Sequence, residues 1–313
     1  MKTKHTAAFA AGCLAAALML SGGFAAAQPA DAPKKEELSE TYRGSQARNV
    51  EYQKIEPFKV FDNLYYVGPG FVSVWLLSTP DGAILLDTAQ EPYVDHVIAS
   101  IQKVGFKLTD IKYIVLSHGH LDHFGGAARI QQLSGARMVA LDEDWKMMEQ
   151  FAVTPPRNGG PIPATPKRDM TVKEGDTLTL GGETLTFYKH PGHTPGSLSA
   201  VFTVLDNGAP HKAFLFGGPG PRNGVVGGQQ FIDSIDRIAQ IPGIDVHVQV
   251  HSWLSSYPYP NGGVLEREIK LKARKPGEPN PFVSTEDWKE WLVEARAGAV
   301  KNLEAEKAKA AAK

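Results

Sequence analysis

The chain has 313 residues, 42% of them hydrophobic, with 33 basic side chains against 34 acidic. That length is normal for one compact α/β domain and allows two. The near-cancelled charge leaves no electrostatic footprint for nucleic acid, and no local basic patch supplies one.

The first residues read as a leader. Lys2 and Lys4 form a short basic start, and an Ala- and Leu-rich stretch runs from Thr6 to Ala27. Ala25-Ala26-Ala27 places small residues at the cleavage positions before Gln28. This predicts a secretory signal peptide over residues 1–27 and export to a bacterial periplasm. Read instead as a membrane span, the stretch is short and is broken by Ser21-Gly22-Gly23. No stable membrane association is therefore expected after cleavage. Cys13 is the only cysteine. It fits a lipid-attachment site poorly, because Ala10 stands where a larger aliphatic residue is usual and apolar chain continues beyond it. Removing the leader leaves 31 basic against 34 acidic side chains and no thiolate. Any metal site in the mature chain must then be built from nitrogen and oxygen.

Residues 28–57 are polar with little pattern and read as an N-terminal arm. From Phe58 the pattern becomes strand-rich. Leu64 to Val67, Val72 to Thr79 and Ala83 to Leu86 read as strands, with Gly68-Pro69-Gly70 and Pro80-Asp81-Gly82 as turns. Helical spacing follows from Tyr93 to Val104, with Gly105 as a stop. Ile111 to Leu116 reads as a buried strand and Ala127 to Leu133 as a helix. Arg137 to Leu141 is a strand and Asp142 to Phe151 a helix. Pro155 to Lys167, with five prolines and two glycines, is an irregular loop that serves either as a lid or as a surface excursion. The second half repeats the style, with strands at Thr177 to Leu180, Leu185 to Tyr188, Leu198 to Val204 and Lys212 to Phe216. A helix over Gln229 to Ala239 and a strand over Val246 to Val250 follow. Ser284, with Asp287 three residues on, opens a last helix whose apolar side is Trp288, Trp291 and Leu292. The domain is placed at 58–303, with a frayed tail over 304–313. Two strand-rich halves with helices predict an α/β fold, an αββα sandwich of two mixed sheets covered by helices on both outer faces.

Between the strand Ile111–Leu116 and the helix from Ala127 stands Ser-His-Gly-His-Leu-Asp-His, with His118, His120, Asp122 and His123. In extended chain, residues two apart point the same way, so His118 and His120 can grip one ion. Asp122 and His123 come after the chain has begun to turn and face a neighbouring point. Left without a metal, four such side chains would have many polar groups to pair. His193 sits on a proline-flanked loop, where Gly192 allows close backbone approach. It is favoured over His190, which reads as structural or supporting. His251, at a strand end, is favoured over His247 at that strand's start. His96 and His211 read as surface residues. The six chosen side chains divide into His118, His120 and His193 for one ion, and Asp122, His123 and His251 for another. Imidazole and carboxylate suit zinc, although ligand types alone leave iron and manganese open. Three protein ligands per ion leave positions for water, the catalytic arrangement.

The His-x-His-x-Asp-His turn, the Gly192-His193-Thr194 loop and the strand-end His251, in that order, resemble the metallo-β-lactamase fold superfamily from about Phe58 to the final helix. Asp87 stands where that family keeps a supporting acid. Glyoxalase II enzymes and acyl-homoserine lactonases place a bridging aspartate after the strand equivalent to Lys212–Phe216, and the cysteine-bearing β-lactamases place a thiolate there. Here Gly217-Gly218-Pro219-Gly220-Pro221 offers neither. The remaining ligand set resembles the third subclass of class B β-lactamases. The serines that usually hold the antibiotic's carboxylate are replaced by proline and glycine, with Arg222 and Asn223 as substitutes. Ser252 stands where the family often has proline. The resemblance implies a two-zinc hydrolase in which a metal-bound hydroxide opens a β-lactam amide, with Asp122 and His118 as catalytic residues. A different lactone, ester or amide substrate is the alternative. A small-molecule substrate is the partner expected, and the sequence leaves the oligomeric state open.

Overall fold

The computed structural model describes residues 38–151, 153, 162–252 and 262–312. The leader predicted over 1–27, residues 155–161 of the proline-rich loop and Trp253 lie outside the described residues.

Two short helices, α1 (Leu38–Arg43) and α2 (Val50–Gln53), come first. Strands β1 (Phe58–Phe61), β2 (Leu64–Tyr66), β3 (Trp75–Thr79) and β4 (Gly82–Leu86) then form an antiparallel meander. Helix α3 (Val94–Lys103) crosses to β5 (Ile111–Val115). Helices α4 (Leu121–Phe124) and α5 (Ala127–Ser134) lead to β6 (Arg137–Leu141), and α6 (Asp142–Phe151) precedes β7 (Met170–Val172). From β4 to β7 the pairing is parallel, and the first sheet runs in sequence order β1 to β7. Strands β8 (Thr177–Leu180), β9 (Glu183–Lys189), β10 (Leu198–Asp206) and β11 (Ala209–Phe216) pair antiparallel. After α7 (Gly224–Ile238), β12 (Val246–Gln249) adds parallel to β11. Helices α8 (Val264–Ala273) and α9 (Thr285–Ala311) complete the described chain.

The sheets pack face to face, and the alternation of side chains fixes what each face meets. Along β4, Ile84 and Leu86 enter the core between the sheets, with Trp75, Leu77, Leu198 and Leu215. Ala83 and Leu85 point the other way, toward Val97 and Ile101 of α3 and Ile130 of α5. The outer face of the second sheet is covered by α7 and α9, where Phe214 and Phe216 meet Phe231, Trp288 and Trp291. This is the predicted αββα sandwich. Burial on both faces explains why β4 and β6 read as apolar runs after their first residue rather than alternating ones.

Three expectations need correction. The arm over 28–57 carries α1 and α2. Leu38 and Tyr42 pack on the inter-sheet core, and the Gln53 amide donates to the Tyr42 and Gln46 carbonyls. The C-terminal segment does not fray at residue 304. Helix α9 continues to Ala311 because Leu303 is buried against α7, and Lys307–Glu304 and Lys309–Glu306 pairs line the last turns of an Ala-rich run. Helix α7 begins at Gly224, ahead of Gln229. Its glycines permit close helix packing: a Cβ on Gly228 would lie 3.2 Å from Leu303.

Candidate metal centre

All six proposed ligands lie where strands of the two sheets end at one edge of the sandwich. The segment after β5 holds His118, and His120 caps α4 in an extended conformation, so α4 then delivers Asp122 and His123 within one turn. His193 lies between β9 and β10. His251 follows β12, its backbone bridged to Val72 in the segment between β2 and β3, while Ser73 N–H donates to Val250 O. Trp75 Nε1–H donates to Gln249 O at 2.7 Å. These contacts stitch the two sheets together at the edge that holds the site.

The side chains form two groups, His118 with His120 and His193, and Asp122 with His123 and His251, whose ligand atoms lie within 4.8 Å of one another in each. In the first, His193 Nε2 is 3.1 Å from His120 Nδ1. In the second, His123 Nε2 is 3.2 Å from His251 Nε2 and 3.5 Å from Asp122 Oδ2. The groups adjoin, with the His118 and His123 rings 4.0 Å apart between centroids.

Four rings are oriented through their far nitrogens. His118 Nδ1 meets Gly217 O at 2.6 Å, and His193 Nδ1 meets Gly220 O at 2.8 Å. His251 Nδ1 meets Phe71 O at 3.0 Å, and His123 Nδ1 meets Asp87 Oδ2 at 2.8 Å. A carbonyl can only accept, so in the first three Nδ1 carries the proton and Nε2 presents a lone pair inward. Asp87, at a left-handed φ of 64°, also accepts from Ser117 N–H and from the Ser117 hydroxyl, each at 2.7 Å.

A cation fits these donors. His118 Nε2 is buried without a hydrogen-bond partner. Burial, reinforced by the neighbouring imidazoles, holds His118 and His193 well below the usual histidine range, and burial leads in bringing His120 and His251 to about 4. All four are thus neutral ligands at neutral pH. His123 differs. Burial lowers it, but the Asp122 and Asp87 carboxylates outweigh burial and push it up to about 10. A cation in the second group would take the place of that proton. Burial raises Asp122, yet His123 and the other imidazoles hold it well below the usual carboxylate range. The chain therefore carries a His/Asp metal-binding site.

The rejected histidines lie elsewhere. His190 is buried beside Phe216, its Nδ1 2.8 Å from Ser199 Oγ. His247 packs against Trp288 and Trp291. His211 pairs with Asp245, and His96 is half-buried on α3. Gly192 is fixed by the helix and not by a metal: a Cβ there, at φ 133°, would lie 2.5 Å from Phe231 Cβ of α7. Beside the ligands, Arg43, Ala47, Phe71, Pro219 and Arg222 line a cleft of about 240 Å³. Arg43, Ala47 and Asp144 escaped the sequence reading. Leu38 and Tyr42 at helical spacing were the available signal for the first two. Asn223 does not line the cleft; it starts α7 at a left-handed φ of 65°.

A two-sheet sandwich with adjoining His/Asp triads at its strand ends defines a metal-dependent hydrolase. The metallo-β-lactamase superfamily pattern matches residues 67–204. Among solved structures, the chain is similar to BJP-1, a subclass B3 metallo-β-lactamase of Bradyrhizobium japonicum. The two are 30% identical with a TM-score of 0.71, covering 83% of this chain and 98% of that one. It is also similar to the FEZ-1 metallo-β-lactamase of Legionella gormanii, at 26% identity and a TM-score of 0.71 over 81% and 97% of the two chains. Among curated sequences, a hydroxyacylglutathione hydrolase of Rhodopseudomonas palustris is 32% identical over 111 residues, 36% of each chain. The chain thus matches about a third of the length of that relative. The chain belongs to the metallo-β-lactamase superfamily.

Proposed function

We propose that the protein is an exported zinc hydrolase that holds two ions, one on His118, His120 and His193 and one on Asp122, His123 and His251, and that opens the β-lactam amide. One observation carries the choice of substrate class. The end of β11 has no room for the bridging acid of the glyoxalase II and lactonase ligand sets, since a Cβ on Gly217 would lie 1.8 Å from Leu198 O. The backbone there is engaged instead in orienting His118 and His193. The similarity to BJP-1 over almost its whole length supports the same reading.

Zinc at these triads supplies a water of near-neutral pKa and polarises a carbonyl oxygen. The chain's own residues do the rest. Asp122, kept ionised and with its side chain 30% exposed to the cleft, would accept a hydrogen bond from the attacking water and orient it. Asp87 and the carbonyls of Gly217, Gly220 and Phe71 hold the imidazoles in their ligand tautomers. Arg222, at the mouth of the cleft, faces the carboxylate of an anionic substrate.

The hydroxyacylglutathione hydrolase relatives favour a second reading, a thioester, lactone or ester substrate at the same centre. The chromogenic cephalosporin nitrocefin, assayed beside a hydroxyacylglutathione thioester and a lactone panel, separates the two. Turnover of nitrocefin alone supports the first, and turnover of thioester or lactone alone overturns it. Export is read from the leader. Recovery of the mature chain in a periplasmic fraction, starting near Gln28, is the expected result.

A further inference from the structure

We propose that Asp144, on α6, is the positioning residue that sets the metal affinity of the first triad, by tying together the two loops that supply its three histidines. The inference rests on reading that triad as a metal site. Asp144 Oδ2 accepts from Gly119 N–H at 3.0 Å and from the Thr194 hydroxyl at 2.9 Å, and Oδ1 accepts from Gly196 N–H at 3.2 Å. Gly119 lies between His118 and His120, and Thr194 follows His193. One carboxylate from a third element thus spans the gap between both ligand loops. Asp144 is 1% exposed, so its charge relies on those three donors for compensation. The backbone is shaped around it: a Cβ on Gly196 would lie 2.7 Å from Asp144 N and 2.9 Å from its Oδ1.

The second triad has none of these contacts. Its orienting partners are Asp87 and Phe71 O. Ser117 O, which accepts from Leu198 N–H at 2.7 Å, also joins the two loops, but outside the ligand positions. Loss of Asp144 therefore loosens one ligand set and spares the other. A residue that merely supported the fold would weaken both.

The test is zinc affinity of the purified full chain, measured by competition with a chromophoric chelator and so independent of turnover. Asp144→Asn keeps the shape and removes one acceptor. It is expected to weaken one zinc equivalent by about 10- to 100-fold and to leave the other within about twofold. Thr194→Val, which deletes a single donor, weakens the same equivalent by a smaller factor and stands in should the first variant fail to fold. Folded variants that bind both equivalents with wild-type affinity overturn the assignment, as does equal weakening of the two. A wild-type chain that binds no zinc overturns the metal reading itself, and the assignment with it.

Discussion

Asp87 Oδ2 lies 2.8 Å from His123 Nδ1, and the same carboxylate takes both the backbone N–H and the hydroxyl of Ser117. The acid that ends β4 therefore holds the start of the ligand turn and one of its imidazoles at once. Asp87→Ala leaves His123 free to rotate. Zinc affinity of the second triad is expected to fall about 10- to 100-fold, as measured by chelator competition, with turnover falling in step.

Arg222 lines the cleft, but its side chain is exposed. An exposed cation is worth about 1 kcal/mol to a bound anion, so Arg222→Ala should raise KM for carboxylate-bearing substrates about fivefold. The proposed reaction takes place at the His/Asp centre and not at Arg222, so kcat should change little. A neutral ester serves as the control and should show no change in KM.

Gly217 separates this site from one with a bridging acid. Gly217→Asp does not add a ligand, because its side chain must enter space held by the Leu198 carbonyl. Thermal unfolding should show a loss of about 3 kcal/mol, and the metal content should not rise.

His190 gives the fold an acid sensitivity. Burial brings it down to about 3 from an ordinary value of 6.5. A base whose folded-state pKa is depressed contributes stability that is fully present above 6.5 and is lost as pH falls toward 3. Over that window the loss amounts to about 5 kcal/mol. His190→Leu should flatten the pH dependence of unfolding between 6.5 and 3, relative to wild type, in denaturant titrations at fixed pH.

The site was legible in the sequence because its side chains have few structural alternatives. Imidazoles at two-residue spacing after an apolar strand need a metal to explain them, and each remaining histidine stood at a strand end or a loop. The strands that lead to them were legible from their β-branched and aromatic residues bounded by turn signals, such as Ile111, Tyr113, Ile114 and Val115 in β5. The carbonyls of Gly217, Gly220 and Phe71 were not legible, since a backbone acceptor has no residue signature. Asp144 was hidden for a related reason: an acid in the first turn of a helix reads as favourable to the helix dipole and nothing more. Helix α8 was missed because its core-facing position 267 is an arginine, paired at 2.9 Å with Asp287 of α9. Helix α1 lay in polar chain, where only Leu38 and Tyr42 mark the buried face.

Elemental analysis of the purified protein, with His118→Ala and His251→Ala beside it, tests the paired triads most directly. The account predicts two zinc ions per wild-type chain and the loss of about one in each variant, from different triads. A wild-type chain without bound transition metal, or with one ion that both substitutions remove alike, would contradict it.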